Sequence, residues 1–195
     1  MSDERVQVII TNQSDPPESP GTDPLKVEDN VIIELFGPDG ELKECQTVHN
    51  LITDAGDLYY AGKAIALGQP ANPAAPTIMS GMKLGTGTTA VAKAGAGAAL
   101  VTYTAGQNAN KPFDATFPQT VNLGAGLGVN GQYKSTWAAG QFTNAAIAEA
   151  VIVNDAGTDA TSTAANTAHR IVFTAINKTA SDTLVITWNA KFLGV

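Results

Sequence analysis

Few residues in this chain have the type and spacing that catalysis or ligand binding requires. Gly85, Gly87 and Ala90 match the G-x-G-x-x-A pattern, whose glycine turn places a dinucleotide pyrophosphate at a helix N-terminus. That chemistry needs a helix after the glycines and an acidic strand end about twenty positions further on. The next segment, AVAKAGAGAAL, lacks helical periodicity, and no such strand appears. The pattern therefore predicts a glycine-rich surface loop and no nucleotide cofactor.

The other reactive side chains stand apart from one another. His49 and His169 have no cluster of Cys, Asp or Glu around them at metal-ligand spacing, and His169 is typical of an ordinary strand-edge residue. Cys45 is the one cysteine, so it forms no internal disulfide, and its position is typical of a small apolar strand residue. Glu149 interrupts the apolar run IAEAVIV, where a buried carboxylate needs a partner, and we expect it to hydrogen-bond a neighbouring loop. These residues predict no enzyme, no metal site and no cofactor.

Charge is scarce and unevenly placed. Charged residues make up 15% of the chain, well below the roughly 25% that is usual. Residues 1–30 hold seven acidic and two basic residues, net −5, and residues 31–195 hold eleven and nine, net −2. A nearly neutral body without a basic patch excludes direct binding of nucleic acid. A surface so poor in charge is common where partner subunits cover it, and a solvated surface rich in Thr and Asn is the alternative.

Membrane insertion and secretion are not predicted. No apolar run approaches the ~18 residues of a membrane-spanning helix. The polar start MSDERVQ does not resemble a signal peptide, so we expect synthesis in a cytoplasm.

One segment reads as a helix, residues 48–68. Asn50 or Thr53 can cap its start, and the two aspartates after the cap suit the positive end of its dipole. Gly68 and Pro70 are expected to end it. Small and apolar residues recur along it at three- and four-residue steps, which predicts one buried face: Leu51, Ile52, Ala55, Leu58, Tyr59, Gly62, Ile65 and Ala66.

The rest of the chain predicts short strands. A hairpin over residues 31–49 turns at Gly37-Pro38-Asp39-Gly40, and residues 169–176 and 183–193 form the clearest strand pair, joined by a hairpin loop. The other predicted strands lie within residues 78–84, 100–104, 113–123, 133–137 and 146–153. Seven to nine strands separated by turn signals predict a mainly β fold, a β-sandwich of jelly-roll or Ig-like type with one α-helix packed on it.

Residues 1–29 are predicted to be an extended, Pro-rich, acidic arm ahead of a β-sandwich domain at residues 30–195. The arm contains the β-like segment VQVIIT, followed by a linker whose four prolines cannot build a packed core. Either this segment adds a strand to a neighbouring subunit, or the terminus is frayed. The first alternative assigns contacts to the apolar side chains of the segment, Val6, Val8, Ile9 and Ile10.

Three stretches of the chain form a recognisable set: VHNLITDAGDLYYAGKAIA followed by MKLGTGTTA, then YKSTWAAGQFTNAAIAEAVIVND, then RIVFTAINKTASDTLVITWNAKF. Together they resemble a family of small virion structural proteins of tailed bacteriophages. The resemblance covers about residues 30–195 and brings no catalytic residues. It implies a capsid decoration (cement) protein on the virion surface, or else a tail, neck or head-fibre protein that contacts the host surface.

A decoration protein is expected to bind the major capsid protein and copies of itself, most often as a homotrimer. We expect the arm to clamp a neighbouring shell or cement subunit, and Tyr133, Trp137 or loop residues 105–130 to supply contact surface. In the alternative, the partners are tail or fibre proteins.

Overall fold

Two five-stranded antiparallel sheets and one helix make up the part of the chain that the computed structural model describes, residues 26–65 and 75–193. The helix is α1 (Asp54–Ile65). The strands are β1 (Lys26–Phe36), β2 (Leu42–His49), β3 (Leu51–Ile52), β4 (Gly81–Gly85), β5 (Asn110–Pro112), β6 (Gln119–Asn122), β7 (Val129–Trp137), β8 (Asn144–Val153), β9 (Thr167–Lys178) and β10 (Thr183–Leu193). Sheet A has the order β2-β1-β10-β7-β6, and sheet B has the order β3-β9-β8-β4-β5. The mainly β prediction, with two sheets and one helix, is confirmed.

The core lies between the inner faces of the two sheets. Strand alternation places every second side chain of β1, β7 and β10 inside, where it meets apolar residues of β4, β8 and β9. Trp137 and Trp188 are fully buried, and Tyr133 is 8% exposed. The expectation that Tyr133 and Trp137 form a contact surface is therefore corrected, because their face of β7 points into the sandwich. Ser135 lies on the same face and is also fully buried.

Four of the first five residues of the predicted helix lie in strands β2 and β3. Val48 pairs with Val31 in sheet A, and Leu51 pairs with Arg170 in sheet B, so the chain crosses between the sheets at Asn50. Because this backbone is committed to strand pairing, α1 begins only at Asp54. Thr53 caps it, as its Oγ1 accepts from the Gly56 amide at 3.0 Å. The predicted stop at Gly68 and Pro70 lies outside the described residues.

The last two strands do not form a hairpin. β9 belongs to sheet B and β10 to sheet A, so residues 179–182 carry the chain from one sheet to the other. Each strand has its own apolar face, and the two faces meet across the core instead of lying side by side in one sheet. The inner face of β10 is formed by Leu184, Ile186, Trp188 and Ala190, which are all fully buried.

Two predicted strands are mostly loop. Residues 100–104 make only an isolated bridge between Tyr103 and Gly85, and of residues 113–123 only β6 is a strand. The amides of Val101 and Thr102 donate to a carboxylate instead of to a strand.

Within the described ranges, no helix has the length and apolar character to cross a membrane.

Candidate functional site

The outer face of sheet B carries charged residues that are nevertheless fully buried. Lys83 on β4, Glu149 on β8 and Arg170 on β9 alternate with core residues, so they point away from sheet A. Residues 86–104, here called the covering loop, pack over this face, and all three side chains are 0% exposed. The loop also brings Leu100 against a small apolar cluster on the same side, Val151, Val153 and Ala156. Sheet B is thus covered on both faces, and the charges form a polar layer beneath the loop.

Glu149 holds the two ends of the covering loop. Its Oε1 accepts from the backbone amides of Gly87 at 3.0 Å and Thr102 at 2.7 Å, and its Oε2 accepts from the amide of Val101 at 3.1 Å. The expected hydrogen bond between Glu149 and a neighbouring loop is confirmed. A carboxylate that accepts several backbone donors replaces its lost hydration, which is what full burial requires.

Arg170 completes this arrangement from the adjacent strand. Its Nη2 lies 2.9 Å from Oε2 of Glu149, and its Nη1 donates to the carbonyls of Thr89 at 2.9 Å and Gly97 at 3.2 Å. One ion pair therefore binds backbone amides through its anion and backbone carbonyls through its cation. The result is a loop whose path is set by side chains of the sheet beneath it.

The glycine pattern has a structural explanation in this contact. A Cβ at Gly87 would lie 2.5 Å from Glu149 Oε1, and a Cβ at Gly85 would lie 2.4 Å from the carbonyl of Thr102. Both distances are shorter than any van der Waals contact, so only glycine lets the strand end and the loop approach the carboxylate. The predicted glycine-rich loop is present, and its glycines adjoin a side chain of the same chain.

Lys83 anchors a second loop, residues 154–163. Its Nζ lies 3.1 Å from Asp155 Oδ1 and donates to the carbonyl of Ala160 at 2.9 Å. Nearby, the Tyr103 hydroxyl donates to Asp159 at 2.6 Å, and burial together with this bond raises the pKa of Tyr103. The same hydrogen bond, with one from the Gly106 amide, lowers the pKa of Asp159. These contacts join the covering loop to the β8–β9 loop.

His169 lies inside the molecule rather than at a strand edge. It sits on β9 between β3 and β8 and is 0% exposed, which corrects the strand-edge expectation. Its Nε2 is 2.6 Å from the Tyr60 hydroxyl, and its Nδ1 is 2.5 Å from Asn50 Nδ2. Tyr60 in turn lies 3.2 Å from the Tyr133 hydroxyl. This aromatic network joins α1 to both sheets, and its ring nitrogens are occupied by structural hydrogen bonds.

The turn that joins the sheets is also held by charge. Asp182 accepts from the Thr179 hydroxyl at 2.7 Å and the Thr179 amide at 2.8 Å, and Lys43 donates to it at 3.0 Å. These hydrogen bonds, that of the Thr179 hydroxyl above all, lower the pKa of Asp182 to about 2. Lys178 donates to the carbonyl of Ala138 at 3.1 Å, and burial lowers its pKa.

The remaining sequence candidates do not come together. Cys45 and His49 are exposed on β2. Among the described residues, no group of three or more His, Cys, Asp or Glu side chains could hold a metal ion. The arm residues Val6, Val8, Ile9 and Ile10 lie outside the described part of the chain.

Sequence reasoning missed the cations of the buried layer. Lys83 and Arg170 alternate with apolar residues, a pattern that normally indicates a solvated face. The signal that could have found them is Glu149, since a carboxylate inside an apolar run requires a buried donor.

The sheet edges differ in how they are protected. On β2, the Gln46 side chain donates to the Thr174 carbonyl at 2.9 Å and accepts from its amide at 3.1 Å, which closes the adjacent edge of β9. A groove of about 610 Å³ lies beside this contact, between β2 and β9. β5 carries Lys111 and Pro112. β6 has the sequence QTVN, with no charge and no proline, and all four of its residues are exposed.

Comparisons with known proteins returned no neighbour of this chain. No family model, curated protein or solved structure matches it.

Proposed function

We propose that this chain is a structural protein of a bacteriophage virion, a capsid decoration protein that binds the outside of the head shell and stabilises it through contacts between subunits. The observation that carries the proposal is that a buried charged side chain from each of the three stretches quoted above binds the backbone of a loop. Lys83 comes from the first stretch, Glu149 from the second and Arg170 from the third. All three side chains form hydrogen bonds with backbone atoms of loops.

This arrangement suits a subunit whose work is to present a rigid surface. A loop that is held at several backbone positions loses little conformational entropy when a partner docks on it, so each contact contributes more to the association. The exposed surface of the covering loop and of the β6–β7 hairpin is uncharged over long stretches, in line with a charge content of 15% for the whole chain. Such a surface fits apolar and hydrogen-bonding contacts with protein subunits.

The arm adds a second element to the proposal. Residues 1–25 precede β1 and include an uncharged β-like segment at the far end of a Pro-rich linker. A segment of this kind reaches beyond its own domain and ties neighbouring subunits together, so that many weak contacts add up over a shell. The partners in this proposal are the major capsid protein and further copies of the chain, assembled as a homotrimer.

The test is the position and copy number of the chain in purified particles. An antibody raised against the recombinant domain is used for immunogold labelling, and quantitative mass spectrometry counts copies relative to the major capsid protein. Label spread over the head, with hundreds of copies, supports decoration. A dozen or fewer copies at one vertex would replace it by a neck, tail or head-fibre role. Absence from particles would overturn both.

A further inference from the structure

The β6–β7 hairpin exposes apolar side chains at the one strand edge of sheet A that carries no charge. Val121 is 40% exposed, Leu127 61% and Val129 39%. The hairpin closes through the Leu123 amide, which donates to the Gly128 carbonyl at 3.1 Å. These three residues, with β6 itself, are here called the β6 edge.

The backbone of β6 offers hydrogen bonds on its outer side. Because Leu123 and Gly128 form a hydrogen-bonded pair, strand alternation makes Val121 with Asn130, and Gln119 with Gln132, the next such pairs. The amide and carbonyl of Thr120 and Asn122 therefore point away from β7. Among the described residues, no strand pairs with that side of β6.

A row of side-chain amides ends at the same edge. Gln132 donates to Asn189 at 3.0 Å, and Gln119 on β6 donates to Gln132 at 2.9 Å. The three residues lie in register across β10, β7 and β6, on the outer face of sheet A. An added strand would extend both the backbone ladder and this row.

Natural proteins protect strand edges with charge, proline or cover, because a bare edge pairs with other chains. Protection of this kind is present at the other edges: Lys43 and Glu44 on β2, the Gln46 amide against the part of β9 that β3 leaves unpaired, and Lys111 with Pro112 on β5. The edge strand β3 is only two residues long. The contrast within one molecule indicates that the β6 edge is kept open for a strand.

We propose that the occupant is residues 6–11 of a second copy of this chain, which add to β6 as a further strand of sheet A. The segment VQVIIT has no charge, and four of its six residues are β-branched and apolar. β6 is four residues long, so the six-residue segment is long enough to pair along the whole of this edge. This inference rests on the proposed function only in assigning the arm to contacts between subunits. The experiments below test it on purified protein without virus particles.

The geometry of the chain favours a second copy over the same chain. Lys26, where the described chain begins, pairs with Leu193 at one end of sheet A. The neighbouring Phe192 pairs with Val129, and Val129 pairs with Asn122, so β1 begins at the end of the sheet where β6 ends. The position beyond β6 lies four inter-strand steps from β1, or ~19 Å. Residues 12–25 contain four prolines, and a Pro-rich linker of this length acts as a semi-rigid spacer of ~43 Å. Because this extended length is more than twice the distance to its own edge, such a linker favours the edge of a neighbouring copy.

The first test compares Thr120→Pro with Thr120→Ala in the full chain by sedimentation velocity. Proline removes the outward amide of Thr120 and leaves the β6–β7 pairs intact, whereas alanine keeps the amide. We expect the natural chain and Thr120→Ala to associate, and Thr120→Pro to raise the dissociation constant at least tenfold. Val8→Pro in the arm should weaken association to the same extent, and the double variant no further. The proposal would be overturned if the natural chain were monomeric at 100 μM, or if Thr120→Pro left association unchanged. Association unchanged by Val8→Pro would also overturn it, and would indicate pairing between two β6 edges instead.

A crosslinking experiment keeps the proposal testable if proline at 120 prevents folding. If the apolar residues Val6, Val8 and Ile10 continue the face of Thr120 and Asn122, then Gln7 and Ile9 share the face of Val121, and one of them lies opposite it in either strand direction. In a Cys45→Ser background, Gln7→Cys or Ile9→Cys is therefore combined with Val121→Cys. Mild oxidation should give disulfide-linked chains of at least twice the monomer mass. The control acceptor is Thr47→Cys, exposed on β2 at the opposite edge of the same sheet. Equal crosslinking at both edges, or a disulfide within one chain, would contradict the proposal, and neither result bears on shell binding.

Discussion

On the outer face of sheet A, Glu34 and Lys191 remain partly exposed to water, whereas on the outer face of sheet B Glu149 and Arg170 are fully buried beneath the covering loop. The strands alternate in the same way in both sheets, so the difference does not arise from the strands themselves. It arises from the path of the chain after β4. The covering loop returns across sheet B, and the charges beneath it become its anchors. A charged residue on an outer strand face is thus a surface group in one sheet and a structural group in the other.

The largest effect is expected for Glu149→Gln. The substitution leaves the Arg170 guanidinium buried without its counter-ion. It also replaces one of the two carboxylate oxygens that accept from backbone amides by an NH2 group, which cannot accept. We expect a loss of about 3–5 kcal/mol in the free energy of unfolding, measured by urea denaturation. Glu34→Gln on sheet A is the matched control and should change stability by less than ~0.5 kcal/mol. Similar small losses for both variants would mean that the covering loop is held by other contacts.

Lys83→Met should have the next largest effect. It removes the charge-assisted bonds to Asp155 and to the Ala160 carbonyl while keeping most of the side-chain volume. The expected loss is about 2–3 kcal/mol, with faster amide hydrogen exchange in residues 154–163. Lys191→Met, on the exposed face, should leave both measurements unchanged. Exchange that rises uniformly over the whole domain would argue against a local anchor.

Gly87→Ala tests the close approach of the loop to Glu149. The new methyl group would meet Oε1 at 2.5 Å, so either the carboxylate or the loop must shift. Overpacking of this kind costs about 1–3 kcal/mol, which thermal unfolding will register as a lower midpoint. Gly157→Ala is the control, since a Cβ there meets nothing within 4 Å. An unchanged midpoint for Gly87→Ala would show that the loop adapts freely.

Asp182 belongs to neither face and should show the smallest effect, as a dependence on pH. Its pKa is about 2 in the folded chain, against about 3.9 in an unfolded one. The ionised form is therefore favoured by folding. Its contribution is present above pH ~4 and is lost as the pH falls through about 2. Asp182→Asn should cost about 1–2 kcal/mol at pH 7 and flatten the stability profile between pH 4 and 2. A profile identical to that of the natural chain would remove Asp182 as the cause.

Much of the fold could be predicted because alternation is a local property. The inner faces of β7 and β10, the β1–β2 hairpin and the cap at Thr53 are all determined by neighbouring residues. Which strands become neighbours is not. β9 and β10 have the pattern of a hairpin, yet they lie in different sheets, since the apolar face of each is buried equally well by pairing or by stacking.

The sequence by itself determined the β character, the two-sided strands, the helix capped by Thr53 and the need of Glu149 for a partner, because each depends on residue type and short spacing. Only the tertiary structure determined which side chains are buried. Lys83, Arg170 and His169 look exposed in sequence, and Tyr133 and Trp137 look available for contact. A loop that folds back over a sheet is a long-range event. Its cost and its contacts depend on residues more than fifty positions apart along the chain, and no local pattern records them.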